Sequence, residues 1–169
     1  MELLSVQQRG KVLSGVRSLL KVELRDHYAM DDALFASWRA GDLGAVRRAA
    51  EAYRDTFEAR RYERFGRVKV VSEPLSEYHR FVLDFSALAI ELTGADIRWL
   101  PRRLTSGLLL PGNDFFVLDG EKALFNVLDG DDNLAEVQLY REPEVVKACL
   151  EAFAAASALA VPLHEYAAG

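Results

Sequence analysis

A chain of 169 residues, half hydrophobic and 28% charged, has the composition of a globular domain and the length to bury its core without metals or disulfides. Its single cysteine, Cys149, excludes an internal disulfide and sits in an apolar helical pattern, where a free thiol acts as a small hydrophobe. The net charge of −5 is unevenly spread, with nine basic and five acidic side chains in residues 39 to 69 but three basic and eleven acidic in residues 104 to 169; so acidic a C-terminal third argues against direct nucleic-acid binding, which needs clustered cations.

From the N-terminus, Val12, Val16, Leu19, Leu20 and Leu24 recur at three- and four-residue steps and predict an amphipathic helix over Val6 to Tyr28, weakened by Gly10 and Gly15. Met30-Asp31-Asp32 predicts the start of a short helix that Gly41-Asp42 stops. A basic helix follows from about Leu43 to Arg64, with Val46, Ala49, Ala50, Tyr53 and Phe57 on one side and Phe65-Gly66 as its end. Residues 1–66 therefore read as an N-terminal helical segment and residues 67–169 as an α/β domain, the two expected to form one compact unit.

In the second part the period changes. Val68 to Ser72 is a β-branched run that Pro74 stops, Ser76 caps a helix from about Glu77 to Leu92, Gly94 closes it, and Ile97 to Leu100 is a second strand. Strand, helix and strand make a βαβ unit with parallel strands and a right-handed crossover. Residues 104 to 109 read as a loop, and Asp114–Leu118 and Ala123–Leu128 form a hairpin around Asp119-Gly120-Glu121-Lys122. Ala135 to Tyr140 is expected to be an edge strand through which a homodimer can form, although Asp131, Asp132 and Glu136 guard it. Pro143 begins a last helix to about Leu159, and residues 162 to 166 form a tail. The expected fold class is α/β: a mixed sheet with a βαβ crossover, a hairpin and a C-terminal helix, preceded by helices.

This topology gathers polar groups at one sheet edge, where α/β proteins place their sites. Parallel strands bring Glu73 and Arg102 to the same edge, and the hairpin sets Asn113 and Asp114 beside Asn126. The start of the crossover helix adds Ser76, Glu77 and Tyr78, with Arg80, Arg103 and Phe116 nearby. These residues form the candidate ligand-binding set, with Tyr78 and Phe116 as apolar walls. Each also has a structural reading: Glu73 and Glu77 suit a helix N-terminus, Arg102 and Arg103 suit ion pairs with those acids, Asn113 suits a turn, and Trp99 suits the core. No catalytic residue is assigned. The three histidines lie far apart without carboxylate or Cys partners at metal spacing, and no phosphate-binding glycine loop is present, so neither metal nor cofactor is expected.

The segment from Gly112 to Asn126 resembles the phospholipase-D-like fold. Asp119 and Asn126 fall at that family's Asp and Asn positions, while Gly112 and Asp114 replace its His and Lys, which implies lost catalysis. A second resemblance spans nearly the whole chain. Glu23-x-Arg25-Asp26-x-Tyr28, Trp38-Arg39-Ala40-Gly41, Ser72-Glu73-Pro74-x-Ser76-Glu77-Tyr78-x-Arg80-Phe81, Trp99-Leu100-Pro101-Arg102-Arg103, Leu110-Pro111-Gly112-Asn113-Asp114-Phe115, Leu124-Phe125-Asn126 and Val161-Pro162-x-x-Glu165-Tyr166 resemble an uncharacterised actinobacterial family, a domain of unknown function. Sequences of that type resemble the C-terminal domain of helix-turn-helix regulators, which implies an accessory regulatory role beside a DNA-binding partner.

Strand-end convergence without a nucleophile makes a non-catalytic regulatory or ligand-sensing protein, with a small-molecule ligand, the leading expectation. Two alternatives stand beside it. One is an enzyme acting on a phosphate or nucleotide compound, with His79 or Glu77 as base in a deep pocket. The other is a protein-interaction module that uses the basic helix 43–64. No apolar run approaches the ~20 residues of a membrane span and no leader pattern opens the chain, so a cytoplasmic location without membrane contact is expected.

Overall fold

Eight strands form one mixed sheet in the computed structural model, which describes residues 1–166. In chain order the elements are β1 (Glu2–Leu4), α1 (Val6–Ser14), β2 (Ser18–Glu23), α2 (Asp32–Arg39), α3 (Leu43–Arg60), β3 (Arg64–Val71), α4 (Glu77–Thr93), β4 (Ile97–Pro101), β5 (Asp114–Leu118), β6 (Lys122–Leu128), β7 (Leu134–Tyr140), α5 (Pro143–Leu159) and β8 (Val161–Pro162). The sheet order is β1-β7-β6-β5-β2-β3-β4-β8. The βαβ unit is present: β3 and β4 are parallel and α4 crosses between them. Ser76 Oγ accepts the amide of His79 at 3.1 Å to start α4, and Gly94 ends it in the left-handed region at φ 67°. The hairpin turns through Asp119 and Gly120, both at positive φ, and β6 runs parallel to β2, β3 and β4.

The N-terminal part differs from its helical expectation. Of the helix expected over Val6 to Tyr28 only Val6–Ser14 is helical, and Ser18–Glu23 is a strand between β5 and β3 at the centre of the sheet. A central strand is covered on both faces, so its apolar residues need not alternate; Leu19, Leu20 and Val22 then fall by coincidence on helical spacing. The basic helix stops at Arg60, where Arg61 turns left-handed at φ 49°, and Phe65-Gly66 lies inside β3 rather than ending the helix. Residues 1–66 thus supply β1, β2 and the start of β3 to the same sheet as the rest of the chain. The strand expected at the edge, β7, is covered by β1, with Glu2 opposite Leu139 and Leu4 opposite Val137. In the expected tail, Val161–Pro162 pairs with β4.

The helices cover the two faces unequally. Helix α5 lies on one face, where Val146, Cys149, Ala152, Phe153 and Ala156 meet Leu20, Val22, Val68, Val70, Phe115 and Val117 in a continuous core. Burial raises the Cys149 thiol to about 11, which suits a structural role. On the opposite face the apolar packing is split. One cluster joins α4 to β3 and β4 through Tyr78, Phe81, Val82, Ile97 and the fully buried Trp99. The other joins α1 to β5, β6 and β7 through Leu13, Phe116, Leu124 and Leu139. Between them, on β2 and β3, the sheet presents charge. Among the described residues, no helix is long and apolar enough to cross a membrane.

Candidate functional site

The register of the central strands builds the site. Lys21 sits opposite Arg67 on one side and Phe116 on the other, Glu23 sits opposite Lys69, and Asp114 sits opposite Asn126. Strand side chains alternate, so these residues share the face that α5 leaves free. They are deeply placed: Glu23 is 4% exposed, and Lys69 and Asp114 are each 1%. Charges buried this far must be paired.

Glu23 is the centre of the pairing. Its Oε2 accepts Arg67 Nη2 at 2.7 Å and Nε at 3.0 Å, its Oε1 accepts Lys21 Nζ, and Lys69 Nζ lies 3.8 Å from Oε2. Burial alone would raise the Glu23 carboxyl, but Arg67, Lys21 and Lys69 together hold it well below the usual carboxylate range. Burial would lower the Arg67 guanidinium, and Glu23 raises it instead. Burial lowers the Lys69 ammonium despite Glu23. Lys69 Nζ also reaches the carbonyl of Arg25 at 3.4 Å and stands 4.7 Å from the centre of the Tyr28 ring.

The segment after β2 closes over this row. Asp114 Oδ1 accepts the Leu24 amide at 2.7 Å, and Oδ2 accepts the Tyr28 hydroxyl. Burial and Glu23 raise the Asp114 carboxyl, opposed by those two hydrogen bonds. The Tyr78 hydroxyl donates to Asp31 Oδ2 at 2.6 Å, and burial followed by Asp31 holds the Tyr78 phenol far above its ordinary range. Asp31 precedes α2, but its carboxylate does not cap that helix.

The result is a cleft with two adjoining compartments that share Arg9, Lys21, Met30, Tyr53 and Arg67 as walls. The inner one, about 310 Å³, holds Glu23, Lys69, Asp114, Asn126, Tyr28 and Tyr78. The outer one, about 330 Å³, opens between α1, α3 and the sheet and is walled by Phe57, Tyr62 and Phe116. Both are near the lower end of the size range of small-molecule sites. Met30, 87% exposed, stands at the mouth.

Of the residues expected at the site, Tyr78, Asp114, Phe116 and Asn126 line this cleft. The others do not join them. Arg102 donates from Nε to Ser72 Oγ at 2.9 Å and from Nη2 to the Leu24 carbonyl at 2.6 Å and Asp26 Oδ1 at 3.1 Å, so it ties three strand ends together. Glu73 accepts Arg103 Nε at 3.0 Å and the Tyr166 hydroxyl at 2.9 Å. Ser76 caps α4, Glu77 pairs with Arg39 at the surface at 3.2 Å, and Arg80 is exposed. Asn113 lies beside Phe125, Gln138 and Tyr140, on the side of the sheet that α5 covers. One sheet edge holds all these groups, but the insertion of β2 between β5 and β3 separates them.

His79 does not line the cleft. It is buried at 1% exposure, its Nε2 is 3.7 Å from Asp26 Oδ1, and it lines neither compartment, so this cleft is not the pocket expected for it as a general base. Asp119 accepts the amides of Arg17 and Ser18 at the turn end of β6, whereas Asn126 lies toward the other end, so the two positions of the phospholipase-D-like resemblance do not converge.

Arg9, Lys21, Glu23, Tyr28, Arg67 and Lys69 lie outside the expected ligand-binding set, although Glu23 and Tyr28 belong to a motif of the family resemblance. The signal of the strand residues lies in Lys21-Val22-Glu23 and Arg67-Val68-Lys69, where charge alternates with Val inside apolar runs. That period places two charged pairs on one face of neighbouring strands, a costly arrangement unless used.

Fold and site together define a mixed α/β domain with a charge-lined cleft on one sheet face. The chain belongs to the family described as domain of unknown function DUF6879, which it matches over residues 10–168. No curated protein and no solved structure gives a significant match.

Proposed function

We propose that this protein is a non-catalytic ligand-sensing domain, that its cleft holds a small molecule, and that it acts in the cytoplasm with a helix-turn-helix regulator. The observation that carries the ligand reading is the row of buried charges between two separate apolar clusters. A fold seeking stability alone gains as much or more from apolar residues at such positions. Perturbed charges in a cleft are a usual mark of a site.

The lining favours recognition over chemistry. No Ser, Cys or His lines either compartment among the described residues, and the one aliphatic hydroxyl, Thr56, bonds back to the Ala52 carbonyl at 3.0 Å. Glu23 has no proton to give near neutral pH and Arg67 has none to lose. The regulatory part of the reading rests on the resemblance of the Ser72–Phe81 and Trp99–Arg103 motifs to the C-terminal domain of actinobacterial helix-turn-helix regulators.

A thermal-shift screen of small metabolites against the wild type and Thr56→Trp tests the ligand reading. Thr56 is exposed on α3 at the mouth, so an indole there blocks the cleft without touching the core. A compound that raises the wild-type midpoint should leave the Trp variant unchanged. Equal shifts in both proteins would place the ligand elsewhere and remove this reading.

A further inference from the structure

The outer compartment has an unbalanced charge. Arg9, Lys21, Arg60 and Arg67 line it, and no Asp or Glu does among the described residues. Lys21 and Arg67 are satisfied from the inner compartment by Glu23. Arg9 and Arg60 are not. Arg9 spends its Nε on Asn126 Oδ1 at 3.0 Å and lies over the Phe116 ring, 5.5 Å from its centre. Arg60 spends Nη1 on the Tyr62 hydroxyl at 2.8 Å. Neither forms an ion pair with a carboxylate among the described residues, both are half-buried, and each keeps guanidinium N–H groups without a protein acceptor there.

Two half-buried guanidinium groups facing one cavity repel each other. Burial and the charge of Arg60 both lower the Arg9 guanidinium. An anion between them removes the repulsion and accepts their free donors, and planar guanidinium forks suit carboxylate and phosphate oxygens. Among the other walls Phe57, Tyr62, Phe65 and Phe116 offer ring surface, and Tyr53 and Thr56 add hydroxyls.

We infer that the ligand of this cleft is a small organic anion, its carboxylate or phosphate held by Arg9 and Arg60 and its flat apolar body lying against Phe57 and Tyr62. The inference rests on the ligand-sensing reading and assigns the chemistry of what is sensed. Anion charge is read at the mouth, and the Lys21–Glu23–Arg67–Lys69 row beneath, with three cations on one carboxylate, keeps the floor of the cleft positive.

Calorimetric titration with three probes of similar size tests it: phenyl phosphate, benzyl alcohol and benzylamine. Phenyl phosphate should bind the wild type roughly tenfold or more tighter than benzyl alcohol, as charge-assisted hydrogen bonds predict, and benzylamine should bind least. Arg9→Gln with Arg60→Gln should abolish that preference while keeping the far-ultraviolet circular dichroism of the wild type. Arg60→Glu, which sets a carboxylate beside Arg9, should remove most of the preference for phenyl phosphate over benzylamine. Equal affinity for benzyl alcohol and phenyl phosphate in the wild type, or an anion preference that survives the double substitution, overturns the anion assignment but leaves a ligand cleft. Absence of binding by all three probes overturns both.

Discussion

Glu23 and Arg67 meet across β2 and β3 with two donors on one carboxylate oxygen, at 2.7 and 3.0 Å, and both side chains lie in the buried face of the sheet. Lys21 and Lys69 share the same carboxylate, so three cations depend on one acid. Removing that acid leaves them buried without compensation. Glu23→Gln should cost about 3–5 kcal/mol, read from urea denaturation. Replacing Glu23, Arg67 and Lys69 together by Leu, Met and Met should recover most of that loss, because the desolvation cost leaves with the charges. A single variant as stable as the wild type would show that the row is not held by Glu23.

His79 gives a pH prediction. Neither ring nitrogen has a hydrogen-bond partner, and burial, Lys69 and Arg102 lower the imidazole to about 4 against the opposing charges of Asp26 and Glu23. The unfolded chain takes up this proton near pH 6.5 and the native state only near 4. In that window the unfolded state binds more protons, so the contribution is present above about 6.5 and is lost as the pH falls toward 4, by up to roughly 3 kcal/mol. His79→Leu should flatten the slope and add about 1 kcal/mol near neutrality by removing unsatisfied buried polar atoms. Urea midpoints from pH 4 to 8 decide it: parallel slopes in the two proteins would exclude His79 as the cause.

Arg102 and Glu73 are predicted to be structural. Arg102 joins the ends of β2, β3 and β4 through Leu24, Asp26 and Ser72, and Glu73 anchors Tyr166. The side chain of Arg102 is 39% exposed, so solvent screens part of its charge. Arg102→Ala with Glu73→Ala should therefore lose about 1–3 kcal/mol while phenyl phosphate affinity stays within about twofold of the wild type, since both lie outside the cleft. A stable double variant that binds weakly would return these residues to the site.

The parts legible in the sequence were those with local signals. Pro143 and the apolar period delimit α5, Ser76 and Gly94 bracket α4, and Asp119-Gly120 marks the hairpin. Strand β2 was hidden because Leu19 and Leu20 are both buried, one on each face, and with Val16 and Leu24 they fall on helical spacing that outweighs the short alternation of Lys21-Val22-Glu23. That one strand changes the site: with β2 between β5 and β3, Asp114 faces Glu23 and Tyr28 rather than Glu73 and Arg102. Tyr78 and Asn126 line the cleft from motifs at element ends, while Lys21 and Lys69 lie inside apolar runs that carry no motif.

Gly66 tests how closely α5 is fitted to the sheet. It lies in β3 on the α5 side, and a Cβ there would meet Phe153 Cζ at 3.0 Å and Leu20 Cδ2 at 3.3 Å. Its backbone is not left-handed, so space rather than conformation demands glycine. Gly66→Ala should destabilise by about 1–3 kcal/mol through overpacking. Phe153→Leu alone should also cost stability, because it leaves a void beside Leu20. Combined, the two changes should cost less than their sum, since the shorter side chain vacates the space that the new methyl needs. A double-mutant cycle by urea denaturation measures that coupling, and strict additivity would show that the Phe153 ring does not decide the residue at position 66.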